Sequence, residues 1–411
     1  MIKTVLLTVM AAIPLMALYH YSQAGSMGTA EEIIALINGW IIDGTGAEPV
    51  KDGVLLIRGN RISAVGSKAE VVIPAGARVV DLAGAFVLPG FFNTHVHRGY
   101  SERHLKAWAQ SGVTTVRDLG AVYREDLFAR RDQLGRDNHN ARLVAAGPML
   151  TVPHGYPAAV FHRAEGFLLE SSDDIHEKVT ALLEGGADLL KISLESGGLW
   201  RLTLPTFSPE QAAQLVKLAH DRGKRVSAHI MVARDLAHAV AAGVDDIAHM
   251  AADPVGDDVI QQMVAQKIFW VPSLELYTCI PARYLPQALH NLDKFRQAGG
   301  QVALGTDFAG YRCKFELGMP LKEMRLMGRA GMTPMQIIVA ATKNSAYVCG
   351  LEKELGTLTV GKLADVIVVK GNPLKDLGQL ANVGLVIKNG EILPQRSLMR
   401  KILRWLHFPA K

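Results

Sequence analysis

Between residues 85 and 304, eight short apolar runs alternate with stretches patterned as helices. The first spans 85–92, broken by Pro89 and Gly90, and leads into His95. The others fall at 112–116, 143–146, 188–192, 225–228, 244–248, 269–274 and 302–304. Strands separated by helices cannot pair through tight hairpins; each crossover returns the chain in the same direction and builds a parallel sheet. Eight such repeats over this length suit a (β/α)8 TIM barrel better than a doubly wound sheet. Two helices announce their starts, because Ser208-Pro209-Glu210-Gln211 and Thr333-Pro334-Met335-Gln336 both read as capping boxes with proline at the first helical position. Gly223 sits where the first of these should stop.

Outside this region the texture changes. "IIALINGWIIDG", "DGVLLIRGNRISAVG" and "ARVVDLAGAFVLPG" pair β-branched runs with Asn, Asp and Gly breakers, and "GKLADVIVVKGNPL" and "GLVIKNGEIL" repeat the pattern near the other end. The expected organisation is a barrel over 89–353 and a small β-sandwich domain assembled from 31–88 and 354–395. At 49% hydrophobic and 20% charged residues the chain is globular, and a net charge of +5 gives no case for nucleic-acid binding. Cys279, Cys313 and Cys349 show no CxxC spacing, so they predict neither a zinc ribbon nor a disulfide framework. Buried free thiols are the simplest expectation, with one bridge open in an oxidising compartment.

Lys3 precedes an apolar run over 5–18, and Ser22 and Ala24 then form a small-x-small pattern before Gly25. That run is short for a membrane span, so 1–24 reads first as a secretory signal peptide and second as an uncleaved anchor. Either way the body works outside the cytoplasm, exported to a periplasm or secreted.

On a TIM barrel, chemistry sits where strands end, on the C-terminal face. His95 and His97, two apart, share one face of a strand. Lys191 lies in the fourth run, His229 and His249 close the fifth and sixth, and Asp307 closes the eighth. Each has a plain structural reading alone, as a bonded surface histidine or a solvated lysine. Together they form the donor set of a metal centre.

"PGFFNTHVH", "DLLKIS", "SAHI", "DIAHM" and "GTDF" resemble the binuclear members of the amidohydrolase superfamily. "TTVRDLG" and "TPMQIIVAATKNSAYVCGLEKELGTLTVGKLADVIVV" resemble its imidazolonepropionase-like subgroup, which includes metal-dependent Xaa-Pro and Xaa-Arg dipeptidases. The resemblance covers roughly 33–393. It implies a first metal held by His95, His97 and Asp307, a second held by His229 and His249, and a bridge made by Lys191 as its carbamate. Such a group supplies two anionic oxygens where a free ammonium would repel cations. The imidazole-rich set favours zinc, with manganese, cobalt or nickel also fitting. The implied reaction is hydrolysis of a carbon–nitrogen bond by a hydroxide shared between two cations, with Asp307 as base and then acid toward the leaving nitrogen.

The third run leads into "GPMLTVPHGYP", where the subgroup often has Gly-Gly-His-Gly. His154 and Gly155 match its second half, so His154 is expected to face substrate and polarise its carbonyl or bind a carboxylate. Arg98 and Arg117 are candidates for a substrate carboxylate, with a structural ion pair as the equal alternative. Tyr277 is a weaker candidate, with wall packing as its alternative. Dipeptidase members often carry a substrate-contacting tyrosine at the place of Met231, and a thioether cannot donate a hydrogen bond. Small-molecule amides therefore remain open as dipeptide, N-acyl amino acid or lactam. Competing readings are a mononuclear deaminase, an esterase or lactonase on the same barrel, and a non-catalytic binding protein. The tail 396–411 is basic and amphipathic as a helix; it either docks on the barrel or lies on an anionic membrane. Nothing in the sequence marks an oligomeric state.

Overall fold

The computed structural model describes residues 32–161, 167–310 and 313–394. The signal-like segment 1–24 and the basic tail 396–411 lie outside them. The described chain opens with β1 (Ile33–Ile41), β2 (Val50–Arg58), β3 (Arg61–Ser67), β4 (Arg78–Asp81) and β5 (Phe86–Pro89). Strands and helices then alternate. β6 (Phe91–Val96), α1 (Glu102–Ser111), β7 (Val113–Asp118), α2 (Leu127–Gly135) and β8 (Arg142–Ala145) come first. Two short strands, β9 (Leu150–Thr151) and β10 (Phe167–Leu168), precede α3 (Ser172–Glu184) and β11 (Leu189–Ser193). α4 (Pro209–His220), β12 (Arg225–His229), α5 (Ala233–Ala242), β13 (Asp246–Ala248), α6 (Asp257–Ala265) and β14 (Phe269–Val271) continue the pattern. After α7 (Leu285–Gln297), α8 (Leu321–Arg329), α9 (Pro334–Val339) and α10 (Ser345–Val348), the chain ends in β15 (Val366–Val369), β16 (Val383–Lys388) and β17 (Glu391–Ile392).

The protein is α/β. Within the alternating region β6, β7 and β8 form one parallel sheet, and β9 to β14 form a second. The eighth apolar run, 302–304, forms bridges rather than a ladder strand: Trp270 pairs with Val302 and Val96 with Phe308. It is nevertheless bonded on both sides. Ala303 donates to the Trp270 carbonyl, while Thr94 donates to Leu304 and His97 to Phe308. Gly305 lets it pass, since a Cβ there would stand 2.5 Å from Val271 and 2.7 Å from the His95 Cβ. Between β8 and β11 the Asp188 N–H donates to Ala145.

An interior cluster draws Phe92, Val144, Leu189, Ala248, Phe269 and Ala303 together from six of these runs. Both expected capping boxes are present, at Ser208 and Thr333. Gly223 takes φ +65° just past the end of α4.

The two β-rich ends meet in one eight-stranded mixed sheet of order β17-β16-β15-β5-β1-β2-β3, with β4 paired to β1. Alternate residues of β1 and β2 serve two cores. Ile34, Leu36, Leu55 and Ile57 pack with Val366 and Val368, while Ala35, Val54 and Leu56 face the other side.

The free-thiol expectation is corrected at two of three cysteines. Cys279 and Cys313 form a disulfide that ties the segment after β14 to the segment after Asp307. Cys349 is free and buried. The two partners meet only because the seventh and eighth runs lie side by side, which no spacing of cysteines reveals. Among the described residues no helix is long and apolar enough to cross a membrane.

Candidate metal centre

Strand register sets the levels of the site. Lys191, Ser227 and Asp246 are neighbours across β11, β12 and β13, and Ser193, His229 and Ala248 lie one level higher. Lys191 shares its face with Leu189 of the interior cluster, so its amine is buried with no exposure. His95 and His97 come from the end of β6, His249 from just after β13, and Asp307 from beyond the eighth run.

His97 Nδ1 lies 3.2 Å from the Gly120 carbonyl, and its Nε2 lies 3.1 Å from Asp307 Oδ1. His95 Nδ1 lies 3.2 Å from Ser273 Oγ, and its Nε2 lies 3.3 Å from the same carboxylate oxygen. Partners on the far nitrogen fix the tautomer and the ring, as around metal-ligating histidines. The His95, His249 and His229 rings follow one another at 4.7 Å steps. One ligand atom each from His95, His249 and Asp307 falls within 4.8 Å of the others, close enough to share one cation.

Four buried nitrogens here have no hydrogen-bond partner: His95 Nε2, His229 Nε2, His249 Nδ1 and Lys191 Nζ. Buried polar atoms are rarely left so. Imidazole lone pairs facing a carboxylate are the donor chemistry of a divalent-cation site, and the residues present fit one.

The electrostatics agree. Burial, reinforced by Lys191, holds His95 and His229 well below the usual histidine range, and burial brings His249 down to about 3. These rings are neutral and able to coordinate. His97 alone is raised, since the bond to Asp307 and its charge outweigh burial. Burial brings the Lys191 amine down to about 7, against the pull of Asp246. Left-handed backbone gathers at this rim, at Arg98, His154, His249, Ser273 and Asp307. Non-glycine residues adopt this conformation only where the surrounding structure holds them in it.

Arg117 is not at the substrate's disposal. It is fully buried, grips Asp246 through both terminal nitrogens at 2.7 and 2.9 Å, and bonds the carbonyls of Thr94 and Val348. Asp246 also accepts from Ser227 at 2.7 Å. The expectation of a substrate contact there is corrected to the structural ion pair. Arg98 and His154 are exposed on the loops after β6 and β9. Tyr277 is buried, and its hydroxyl donates to the Met250 carbonyl. Met231, 2% exposed, packs its sulfur 3.9 Å from that hydroxyl, so both form wall.

Sequence reasoning missed four residues. Ser273 supports His95. Tyr156 stacks on His229 at 4.2 Å, and Trp200 stacks on Tyr156 at 5.4 Å. Glu195 is fully buried, and burial with the charge of Asp235 pushes its carboxyl up to about 7. Glu195 could have been noticed as an acid shortly after Lys191 on the same strand end. The aromatic pair had no local signal.

Residues 86–393 match the model of the amidohydrolase family. The chain is 25% identical to ochratoxinase of Aspergillus niger over 407 residues, spanning 84% of this chain and 83% of that enzyme. It is 24% identical to imidazolonepropionase of Symbiobacterium thermophilum, over 86% and 93% of the two chains. A Xaa-Pro dipeptidase crystallised with methionine in its active site superposes with a TM-score of 0.76 at 26% identity, over 88% of this chain and all of that one. The chain therefore belongs to the amidohydrolase family and, with it, to the metal-dependent hydrolases of carbon–nitrogen bonds.

Proposed function

We propose that this site holds two divalent cations, zinc by its imidazole-rich donors, and hydrolyses the amide bond of a small molecule with an apolar flank. His95, His97 and Asp307 would hold one cation and His229 and His249 the other, with carboxylated Lys191 between them. The observation that carries this reading is the set of four buried nitrogens without partners. An amine brought down to about 7 is substantially neutral at physiological pH. Its nitrogen bonds to the carbon of carbon dioxide and releases one proton, leaving a carbamate anion. When bound, such ions acidify water and polarise a carbonyl. Asp307, within 3.3 Å of both His95 and His97, orients the attacking water, takes its proton and passes it to the leaving nitrogen.

We also infer that the parallel strands close into a (β/α)8 barrel and that the mixed sheet curls into a β-sandwich. The backbone bonds on both edges of 301–308 and the interior cluster support the closure. Met231 stands where the dipeptidases often have a tyrosine donor, and a thioether cannot donate to a carboxylate, which favours N-acyl amino acids and lactams over dipeptides. Export is proposed from the signal-like 1–24, and the Cys279–Cys313 bond supports an oxidising compartment.

The test is metal analysis of the mature protein together with a panel of dipeptides, N-acyl amino acids, lactams and esters. Two metals per chain with amide cleavage is the expected result. One metal with release of ammonia would make the protein a deaminase, and no metal a binding protein.

A further inference from the structure

Two tyrosines stand against the His229 half of the site. Tyr277 is fully buried with its hydroxyl engaged by the Met250 carbonyl, so it faces protein. Tyr156 differs. Its ring lies flat on His229, with planes 13° apart, and Trp200 stacks on the same ring at 24°. Phe161 meets it edge-on at 5.8 Å. All these contacts run through the ring. The phenol oxygen has no hydrogen-bond partner among the described residues, and it lies within electrostatic reach of Asp307 and Glu195. Tyr156 is only partly buried, so a ligand can reach it. A side chain fixed against a candidate metal ligand, with its donor unengaged, is preorganised for something that arrives with substrate. Nearby Met231 offers no donor.

We propose that Tyr156 is a substrate-contacting residue whose hydroxyl donates to the carbonyl oxygen under attack as that oxygen gains negative charge. This rests on the amide-hydrolase reading above. A phenol is protonated at neutral pH and can donate throughout the reaction. Trp200 and Phe161 are positioning residues that hold its ring on His229.

Tyr156→Phe keeps the ring and its stacking and removes one oxygen. In the zinc-loaded mature protein it should lower kcat on the best amide of the panel by about 100-fold, with KM within about threefold, the scale of losing one oxyanion donor. Titration calorimetry supplies a readout without turnover. Methylphosphonate, tetrahedral like the attacked carbon, should bind the variant at least tenfold more weakly than wild type, while planar acetate binds both alike. Unchanged kcat and unchanged methylphosphonate affinity would remove Tyr156 from the reaction and leave the amide-hydrolase reading standing. Loss of metal from the variant would make Tyr156 a prop for His229 and overturn the donor role. A wild type that binds methylphosphonate but cleaves no amide or lactam would sink the amide-hydrolase reading, and the inference with it.

Discussion

Lys191 and Arg117 are two buried cations of opposite fate at neighbouring levels of the same interior. Arg117 keeps its charge because Asp246 outweighs the cost of burial. Lys191 has no carboxylate in hydrogen-bond contact, and its amine is eased toward neutrality. Different variants should therefore fail differently. Lys191→Ala should fold, lose its activity, and regain part of it when formate or propionate is added with metal, because a small carboxylate can stand where the carbamate would. Near wild-type turnover with two bound metals in the unsupplemented variant would dismiss the bridging role. Arg117→Met should instead cost about 3–5 kcal/mol of stability, since it strands the Asp246 charge in the interior. The double change Arg117→Met/Asp246→Leu should recover much of that loss. Urea midpoints of the three forms decide it, and equal loss in the single and double variants would mean that packing and not charge holds the layer.

The segment after β14 supplies Ser273 and Tyr277, and it is fastened from outside the strands. Glu323 on α8 accepts the N–H groups of Leu274 and Glu275 at 2.8 and 2.7 Å, and Glu275 accepts that of Glu316 at 3.0 Å. Burial pushes Glu323 up to about 8 and Glu275 up to about 7. Between the ordinary carboxyl range and those values the folded chain holds protons that the unfolded chain has released. Stability contributed there is present at low pH and falls as pH rises from about 5 to 8. The thermal midpoint should drop over that window, and Glu323→Gln should flatten the slope while losing one backbone bond, worth about 1 kcal/mol. An unchanged slope would place the titration elsewhere.

These fastenings also mark the boundary of what sequence reveals. The strand-end positions of the histidines and Asp307 are legible because period and position are local properties, and parallel strands present their last side chains at one edge of the sheet. Arg117 was ambiguous because its partner Asp246 lies on a strand far along the chain. The eighth run was over-read as a ladder strand, since three apolar residues beside Gly305 suffice for bridges and no more. Tyr156 and Trp200 were invisible because their loops meet only over the finished site.

At the scale of the whole molecule, the same small sheet gathers both ends of the described chain. The first and last strands of the described residues, β1 and β17, therefore belong to one sheet. Mature protein should sediment with anionic liposomes if 396–411 lies on membranes, and deletion of those residues should abolish it. Equal and negligible sedimentation of both forms would leave the tail a packing element.

The sheet also sets a timetable. β5 is held on one side by β1, made before it, and on the other by β15, made long after it. Until 366–369 leave the ribosome, one edge of β5 is bare and the core shared by Val87, Val366 and Val368 is unfilled. Pairing so remote in sequence is slow to form. A growing chain can thus pair β1, β2 and β3 early, while β5 waits half-paired for β15.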